Sequence, residues 1–426
     1  MQAMAFSDLP FTDDSISFVH HPVVLAYLQR YAQHHNLLQH IHFNTTVTSV
    51  TPRNNKDTEG WIIRTMTQES QSERKEEWEV DAVVVCSGHF FEPYIPREIE
   101  GVERFPGQLV HSRDYRTPTP FIDHVCVVVG AGPSGVDVAR ELSGVVKKLY
   151  LCTRERDAGL VKGAVGDRFA SAGLAACERV TGSVRRVTPE GLVEFSDGSV
   201  TSERVDTVVF CTGYYYHMPF LDPACDVEFS LPLSKESMDE EDAEVEGECA
   251  GRCVAPLYAH LIHIRHPSLI FVGLPFKVFL LTQTHALTKI THTHTQILPF
   301  PCFEVQARCV VELMKQHPQL FWGRKGEEGE GETGLWTRKG LEAAWRDLLE
   351  AWKQKGLPQR YFHLLGGNQW AYFKGLEREC GITEPTFNWK FLEEVYNDVS
   401  NARIRDQQGY RNLVYHLKAE SWKRIE

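Results

Sequence analysis

Residues 130–135, Gly-Ala-Gly-Pro-Ser-Gly, have the types and spacing that hold a pyrophosphate. Gly130 permits a tight turn, Gly132 lets a phosphate approach the backbone, and Gly135 lets a helix pack closely on a strand. Pro133 and Ser134 stand where that helix would begin, so its free N–H groups and partial positive charge would face the phosphates. The chemistry is dinucleotide binding; the plainer alternative is a structural glycine turn. A second signal lies where the apolar segment 148–152 ends in Thr153 and Arg154. An acid at that point favours the bare ribose of NAD, whereas Arg154 favours the 2′-phosphate of NADP. Glu155 and Asp157 follow directly, which keeps NAD open, and Arg154 as a solvated loop arginine is a further alternative.

Such a loop works only between a strand and a helix. Residues 125–129 are a continuous apolar run, 136–142 read as a helix, and 148–152 read as the next parallel strand. Upstream, 23–35 has helical spacing, with Val24, Leu25, Leu28, Tyr31 and Ala32 on one face. Residues 41–50 and 61–67 read as strands joined by a polar turn, and a further strand covers 80–86.

A repeat then appears. VDAVVVCSGHFFEPYIP begins at Val80 and VDTVVFCTGYYYHMPFL at Val205. Each is an acid-led apolar strand, then Cys-Ser/Thr-Gly, then aromatics and a proline. Two strands with one ending suggest two similar nucleotide-binding domains, with Gly88 and Gly213 at matching turns; two unrelated buried strands are the alternative. The expected fold is α/β: two Rossmann-like dinucleotide-binding domains, the first incomplete, with a helical C-terminal region. The expected division is 1–91, a partial first domain; 92–205, the domain of the glycine loop; and 206–426, a return to the first domain plus C-terminal helices. Residues 234–248 are strongly acidic and residues 323–334 are charged and glycine-rich; both read as solvated linkers.

Composition narrows the function. The chain has 426 residues, 42% hydrophobic and 24% charged, as in ordinary globular proteins. A net charge of −12 argues against nucleic acid as a partner. The 11 cysteines are scattered, several within apolar strands, and no CxxC pair exists, so a dithiol reductase mechanism lacks its chemistry. Cys249 and Cys253 lack further ligands, and a pair at His292 and His294 lacks a third, so no metal site is expected. No stretch is long and apolar enough to span a bilayer and no signal peptide pattern is present, so a cytoplasmic protein is expected.

Residues 105–116, FPGQLVHSRDYR, resemble the identifying pattern of flavin-containing monooxygenases, Phe-x-Gly-x3-His-x3-Tyr: Phe105, Gly107, His111 and Tyr115 all fit. Baeyer–Villiger monooxygenases usually carry tryptophan where Tyr115 stands, so the chain looks like the amine- and sulfide-oxidising branch. Residues 4–11, 18–32, 211–214, 271–278, 299–307 and 410–417 also resemble that family, in its order.

The resemblance implies FAD and NADPH as cofactors, and oxygen transfer from O2 to the soft nitrogen or sulfur of a small amine or thioether. It makes the loop at Gly130, Gly132, Pro133, Ser134 and Gly135 the NADPH site, with Arg154 on the 2′-phosphate. His111, Ser112 and Tyr115 would orient the NADP domain; His111 as a satisfied linker histidine is the alternative. Val47, Gly88, Thr212 and Gly213 would line the FAD domain, although a plain core role serves Val47 equally. Two departures stand out. Residues 1–50 contain no glycine, so the chain is expected to start downstream of the FAD-binding GxGxxG and of the family's active-site asparagine, with no catalytic residue assigned and with impaired flavin binding. Residues 279–298 are an insertion expected to disturb flavin contacts near 299–306. A non-catalytic NADP-binding relative is therefore the rival reading.

Overall fold

The computed structural model describes residues 2–12, 17–53, 60–68, 72–96, 98–153, 177–232, 250–276, 298–322, 334–365, 368–405, 412–418 and 421–425. The chain divides into two compact units. Unit 1 is Met1–Gly88, Tyr216–Asn401 and Arg411–Glu426; unit 2 is His89–Tyr215 and Ala402–Tyr410. Residues 154–176, 233–249, 277–297 and 323–333 lie outside the described residues. Arg154, Cys249, the acidic segment, His292 and His294, and nearly all of the 279–298 insertion fall there.

Unit 1 opens with helix α1 (His21–His34), started by Pro22 at its first turn. Of the expected apolar face, Val24 and Tyr31 pack inward and Leu25 and Leu28 do not. Tyr27 is the buried residue, while Leu25 and Leu28 are 56% and 38% exposed. The reason is local: the Tyr27 hydroxyl accepts the Phe6 N–H and donates to the Leu9 carbonyl, both at 2.8 Å, and its ring stacks on Phe11. Strands β1 (Thr45–Pro52), β2 (Trp61–Gln68) and β3 (Glu73–Val80) form an antiparallel sheet, with a register shift between Val47 and Ser49. Strand β1 starts later than the expected 41–50, directly after Asn44, whose φ of 53° is not a strand conformation. Strand β4 (Val83–Val85) follows.

Unit 2 contains β5 (Glu92–Pro93), β6 (Gln108–His111), β7 (Val125–Val129), helix α2 (Pro133–Leu142), β8 (Lys148–Thr153), β9 (Glu178–Thr181), β10 (Val184–Val187), β11 (Val193–Phe195) and β12 (Thr207–Phe210). The main sheet has the order β6-β12-β7-β8-β9, and every neighbouring pair is parallel. Buried strands alternate their side chains between two layers. Val125, Val127, Val129, Tyr150 and Phe210 enter a cluster with Val184, Val193 and Phe195 of the β10–β11 hairpin. Cys126, Val128, Leu149, Leu151 and Val209 enter a cluster with Val138, Ala139 and Leu142 of α2. The continuous apolar run of β7 is thus explained: it is covered on both faces.

Strand β13 (Tyr214–His217) carries the chain out of unit 2. In unit 1 come β14 (Ala250–Gly251), β15 (Leu257–Tyr258), β16 (Ile262–His263) and β17 (Leu269–Phe271); the sheet order is β15-β16-β17-β4, with β17 and β4 parallel. The two repeat strands are therefore β4 in unit 1 and β12 in unit 2. Each leads to a glycine of positive φ, Gly88 at 73° and Gly213 at 94°.

Helices α3 (Pro299–Gln316), α4 (Pro318–Trp322), α5 (Arg338–Lys355), α6 (Gln369–Glu379) and α7 (Trp389–Arg405) follow. In unit 1 Cys302, Val305, Cys309 and Leu313 of α3 pack with Phe321, Leu341, Trp370, Phe373 and Trp389. A last hairpin, β18 (Val414–Lys418) with β19 (Ser421–Ile425), is held by Asp398, which pairs with Arg424 at 3.0 Å and accepts from the Tyr415 hydroxyl at 2.8 Å.

Candidate functional site

The glycine turn joins β7 to α2, at the point where the sheet order reverses: β8 and β9 lie on one side of β7, β12 and β6 on the other. That switch point is where open parallel sheets bind ligands. Gly130 has φ of 101°, and a Cβ there would meet the Cys211 carbonyl oxygen at 2.6 Å. A Cβ on Gly135 would stand 1.8 Å from the Gly130 carbonyl oxygen. A Cβ on Gly132 would meet nothing within 4 Å. Two glycines thus serve chain packing, and the third leaves open space, the cradle a pyrophosphate needs. No side chain caps α2, and no acid occupies its first turn. Its N-terminal N–H groups remain suited to an anion. Pro133 opens the helix, and Ser134 is exposed beside it.

The motif residues meet this turn through strand pairing. His111 ends β6 and lies opposite Phe210 of β12. Its Nδ1 accepts the Arg113 N–H at 3.1 Å, so the ring proton sits on Nε2 and is donated to the Gly213 carbonyl at 3.0 Å. The Tyr94 N–H reaches the same carbonyl at 2.9 Å, and the Thr212 hydroxyl donates back to the Tyr94 carbonyl. Burial lowers the His111 pKa, and the Gly213 contact opposes it. His111 is therefore a satisfied, neutral clamp on the Cys211–Gly213 turn. The Ser112 hydroxyl lies at the Cys211 thiol, which burial pushes up to about 12.

Tyr115 stacks on Phe121, with centroids 5.6 Å apart and planes at 17°, and donates to Glu141 of α2 at 3.0 Å. It ties down the far end of the helix whose near end bears the glycine turn. Tyr94 and Glu141 carry no motif signal. They are found only once strand pairing and helix phase are known.

Thr212 and Gly213, expected on the flavin side, belong to unit 2 beside Gly130. Val47 and Gly88 belong to unit 1. Val47 is 40% exposed, which overturns a plain core role. A Cβ on Gly88 would meet nothing within 4 Å. Gln306 of α3, in the segment expected near flavin, is fully buried: its Oε1 accepts the Gly273 N–H and its Nε2 donates to the Tyr372 hydroxyl, both at 2.8 Å. Among the described residues, no cluster of three or more metal-ligating side chains occurs, and no helix is long and apolar enough to cross a membrane.

A family model described as flavin-binding monooxygenase-like matches residues 1–168. Flavin-containing monooxygenase FMO GS-OX-like 4 of Arabidopsis thaliana is 28% identical over 433 residues, spanning 99% of this chain and 80% of that protein. FMO GS-OX4 of the same plant is 30% identical over 393 residues, spanning 89% of this chain and 69% of that protein. The structure of S-allyl-L-cysteine S-oxygenase from Allium sativum superposes with a TM-score of 0.69 at 26% identity, over 96% of this chain and 78% of that one. Tmm from Pelagibacter sp. strain HTCC7211 shares the fold, with a TM-score of 0.66 at 19% identity, over 100% of this chain and 79% of that one.

The unit 2 turn fits a dinucleotide pyrophosphate. In unit 1 the described residues form no second strand–glycine–helix turn: β4 runs through Gly88 toward β5, not into a helix. The described residues therefore do not cradle a flavin pyrophosphate. By sequence relationship and fold, the chain belongs to the flavin-containing monooxygenase family, whose cofactors are FAD and NADPH.

Proposed function

We propose that this chain is the oxygenase of a soft sulfur or nitrogen nucleophile, with small thioethers as the first substrates to test and amines as the second. The overall balance is NADPH, a proton, O2 and a thioether giving NADP+, water and a sulfoxide. Flavin, when bound, would supply the oxygen-activating redox chemistry. The observation that carries the reading is the glycine turn of unit 2, held by the side chains of the Phe105–Tyr115 pattern. Tyr115, where Baeyer–Villiger enzymes carry tryptophan, supports the sulfur and nitrogen branch. So does the likeness to the S-allyl-L-cysteine S-oxygenase of Allium sativum.

In this reading unit 2, His89–Tyr215 with Ala402–Tyr410, is the NADPH domain, longer than the expected 92–205 because β12 (Thr207–Phe210) completes its sheet, and unit 1 is the flavin-binding part with the C-terminal helices. Gly130, Gly132, Pro133, Ser134 and Gly135 receive the pyrophosphate through backbone N–H groups. Arg154 pairs with the 2′-phosphate. His111, Ser112 and Tyr115 hold the walls of that turn. Val47 and Gly88 of unit 1 are assigned to the flavin side, whereas Thr212 and Gly213, expected there too, stand in unit 2 with the glycine turn. The described cysteines are free thiols, which supports a cytoplasmic setting.

A non-catalytic NADP-binding relative is the second reading, favoured by the lack of a flavin cradle among the described residues. One assay separates them. The purified chain is given NADPH and a thioether, with and without added FAD, and both NADPH oxidation and sulfoxide are followed. Thioether-dependent sulfoxide formation supports the oxygenase; NADPH binding without consumption under any condition overturns it.

A further inference from the structure

The Val80/Val205 repeat makes unit 2 a template for what the matching strand of unit 1 can hold. In the repeat, Val83, Val84, Val85 and Cys86 correspond to Val208, Val209, Phe210 and Cys211. In unit 2, β12 is flanked on both edges, by β6 and by β7. In unit 1, β4 has β17 on one edge and, among the described residues, no strand on the other. Strand β4 carries none of the charges, prolines or bulges that protect an apolar edge.

Hydrogen-bond direction identifies the open edge. Along a parallel strand, successive residues turn their N–H and C=O groups to opposite neighbours. In unit 2 the Phe210 carbonyl accepts from Ser112, on the β6 side, whereas the Cys211 N–H donates to Val129 of β7, both at 2.8 Å. In unit 1 the Val83 N–H donates to Ser268 at 2.9 Å and the Val85 carbonyl accepts from Val272 at 3.0 Å, both on the β17 side. Strand β17 therefore takes the place of β6, and the backbone groups of Val84 and Cys86 face the place of β7. The side chains agree. Val209 and Cys211 pack with the residues of α2 and are 0% and 9% exposed, whereas Val84 is 45% exposed and the Cys86 thiol is open to solvent.

We propose that the open edge of β4 docks a partner segment built like β7–α2: an apolar strand that adds parallel to Val84, a glycine turn beside Cys86, and a helix that covers both side chains. Strand addition supplies main-chain hydrogen bonds, and the helix buries the apolar face. The probe is a synthetic peptide of residues 123–147 of this chain with Cys126→Ala, mixed with the full chain. Amide exchange over residues 83–87 and iodoacetamide labelling of Cys86 are followed by mass spectrometry. Both are expected to be fast in the chain alone and to slow at least about tenfold with the peptide. A peptide that also carries Gly135→Val, whose helix cannot close onto its strand, is expected to protect neither. Val84→Pro removes an N–H that β17 does not use, and Val84→Lys sets a charge under the incoming helix. Each is expected to abolish protection while exchange over residues 269–272 stays as in the parent chain. Slow exchange and labelling in the chain alone overturn the proposal, because the edge is then already covered, by a second copy where the chain runs as a dimer. No protection at about 1 mM peptide overturns it as well. Protection that survives both Val84 variants also overturns it, since the peptide would then sit elsewhere.

Discussion

Gly135 packs onto Gly130 so closely that a Cβ at 135 would stand 1.8 Å from the Gly130 carbonyl oxygen. Helix α2 can therefore approach β7 at this distance only with glycine at its third position. Gly132 is different in kind, because space is open where its Cβ would project.

Alanine substitutions at the two positions should separate folding from binding. Gly135→Ala forces helix and strand apart and should cost about 1–3 kcal/mol of stability, as overpacking does. Gly132→Ala should leave the melting temperature unchanged within about 1 °C, a shift far smaller than the several degrees that 1 kcal/mol moves a domain. Its NADP+ affinity should fall at least about tenfold, because the methyl group occupies the phosphate approach. Thermal scans and NADPH fluorescence titration give both values. Normal NADP+ affinity in Gly132→Ala would place the pyrophosphate elsewhere.

The part of this arrangement legible in the sequence was the part that short-range spacing records. The glycine turn, the two-sided apolar run of β7 and the Val80/Val205 repeat each leave a local pattern, because backbone conformation and burial of neighbouring residues cause them. The face of α1 is legible in part: Val24 and Tyr31 pack inward as expected, but Leu25 and Leu28 do not, because the centre of the face is Tyr27. Tyr27 is set there by hydrogen bonds to the backbone of Phe6 and Leu9, far enough away in sequence to leave no periodic mark. Tyr94 and Glu141 escaped for the same reason. Their partners, Gly213 and Tyr115, are brought to them by strand pairing and helix phase.

His111 should behave as a clamp rather than as an acid or base. Both its ring nitrogens are committed, to the Arg113 N–H and the Gly213 carbonyl. Removing it in His111→Ala leaves a cavity and takes the acceptor from the part-buried Arg113 N–H, a loss of about 2–4 kcal/mol. His111→Gln retains a donor near the Nε2 position and should recover about half of that. Urea denaturation checks the order. Equal losses for the two variants would show that ring volume, not the hydrogen bond to Gly213, is what matters.

Tyr115 offers a finer test of the identifying pattern. Tyr115→Phe keeps the stack on Phe121 and removes the hydrogen bond to Glu141. At a partly exposed pair the stability cost should be about 1 kcal/mol or less. Tyr115→Ala also removes the stack and should cost at least about 1 kcal/mol more. If the Glu141 bond sets the pitch of α2, Glu141→Ala and Tyr115→Phe will lower NADP+ affinity by the same factor, and the double variant will lose no more than either single one. Additive losses in this double-mutant cycle would show that the two residues act apart.

Acid should weaken the fold through histidines that burial keeps neutral. Burial lowers His89 and His260 to about 4 and His263 to about 3, below the ordinary histidine value. Below about pH 6.5 the unfolded chain takes up protons that the folded chain refuses, so stability is full above that pH and is lost as pH falls toward 4. Burial of Glu304 raises its carboxyl, which works in the opposite direction and offsets part of one proton. His260 is the best single probe. The Val254 N–H donates to Nε2 of His363 at 2.9 Å, so the His363 proton is on Nδ1, 3.0 Å from the accepting Nδ1 of His260. His260→Asn keeps an acceptor near that point and tolerates the local φ of 56°. It should flatten the dependence of stability on pH by up to one proton, about 1.4 kcal/mol per pH unit, between pH 4.5 and 6. Urea midpoints across that range measure it, and a slope equal to that of the parent chain would show that His260 titrates normally in the folded protein.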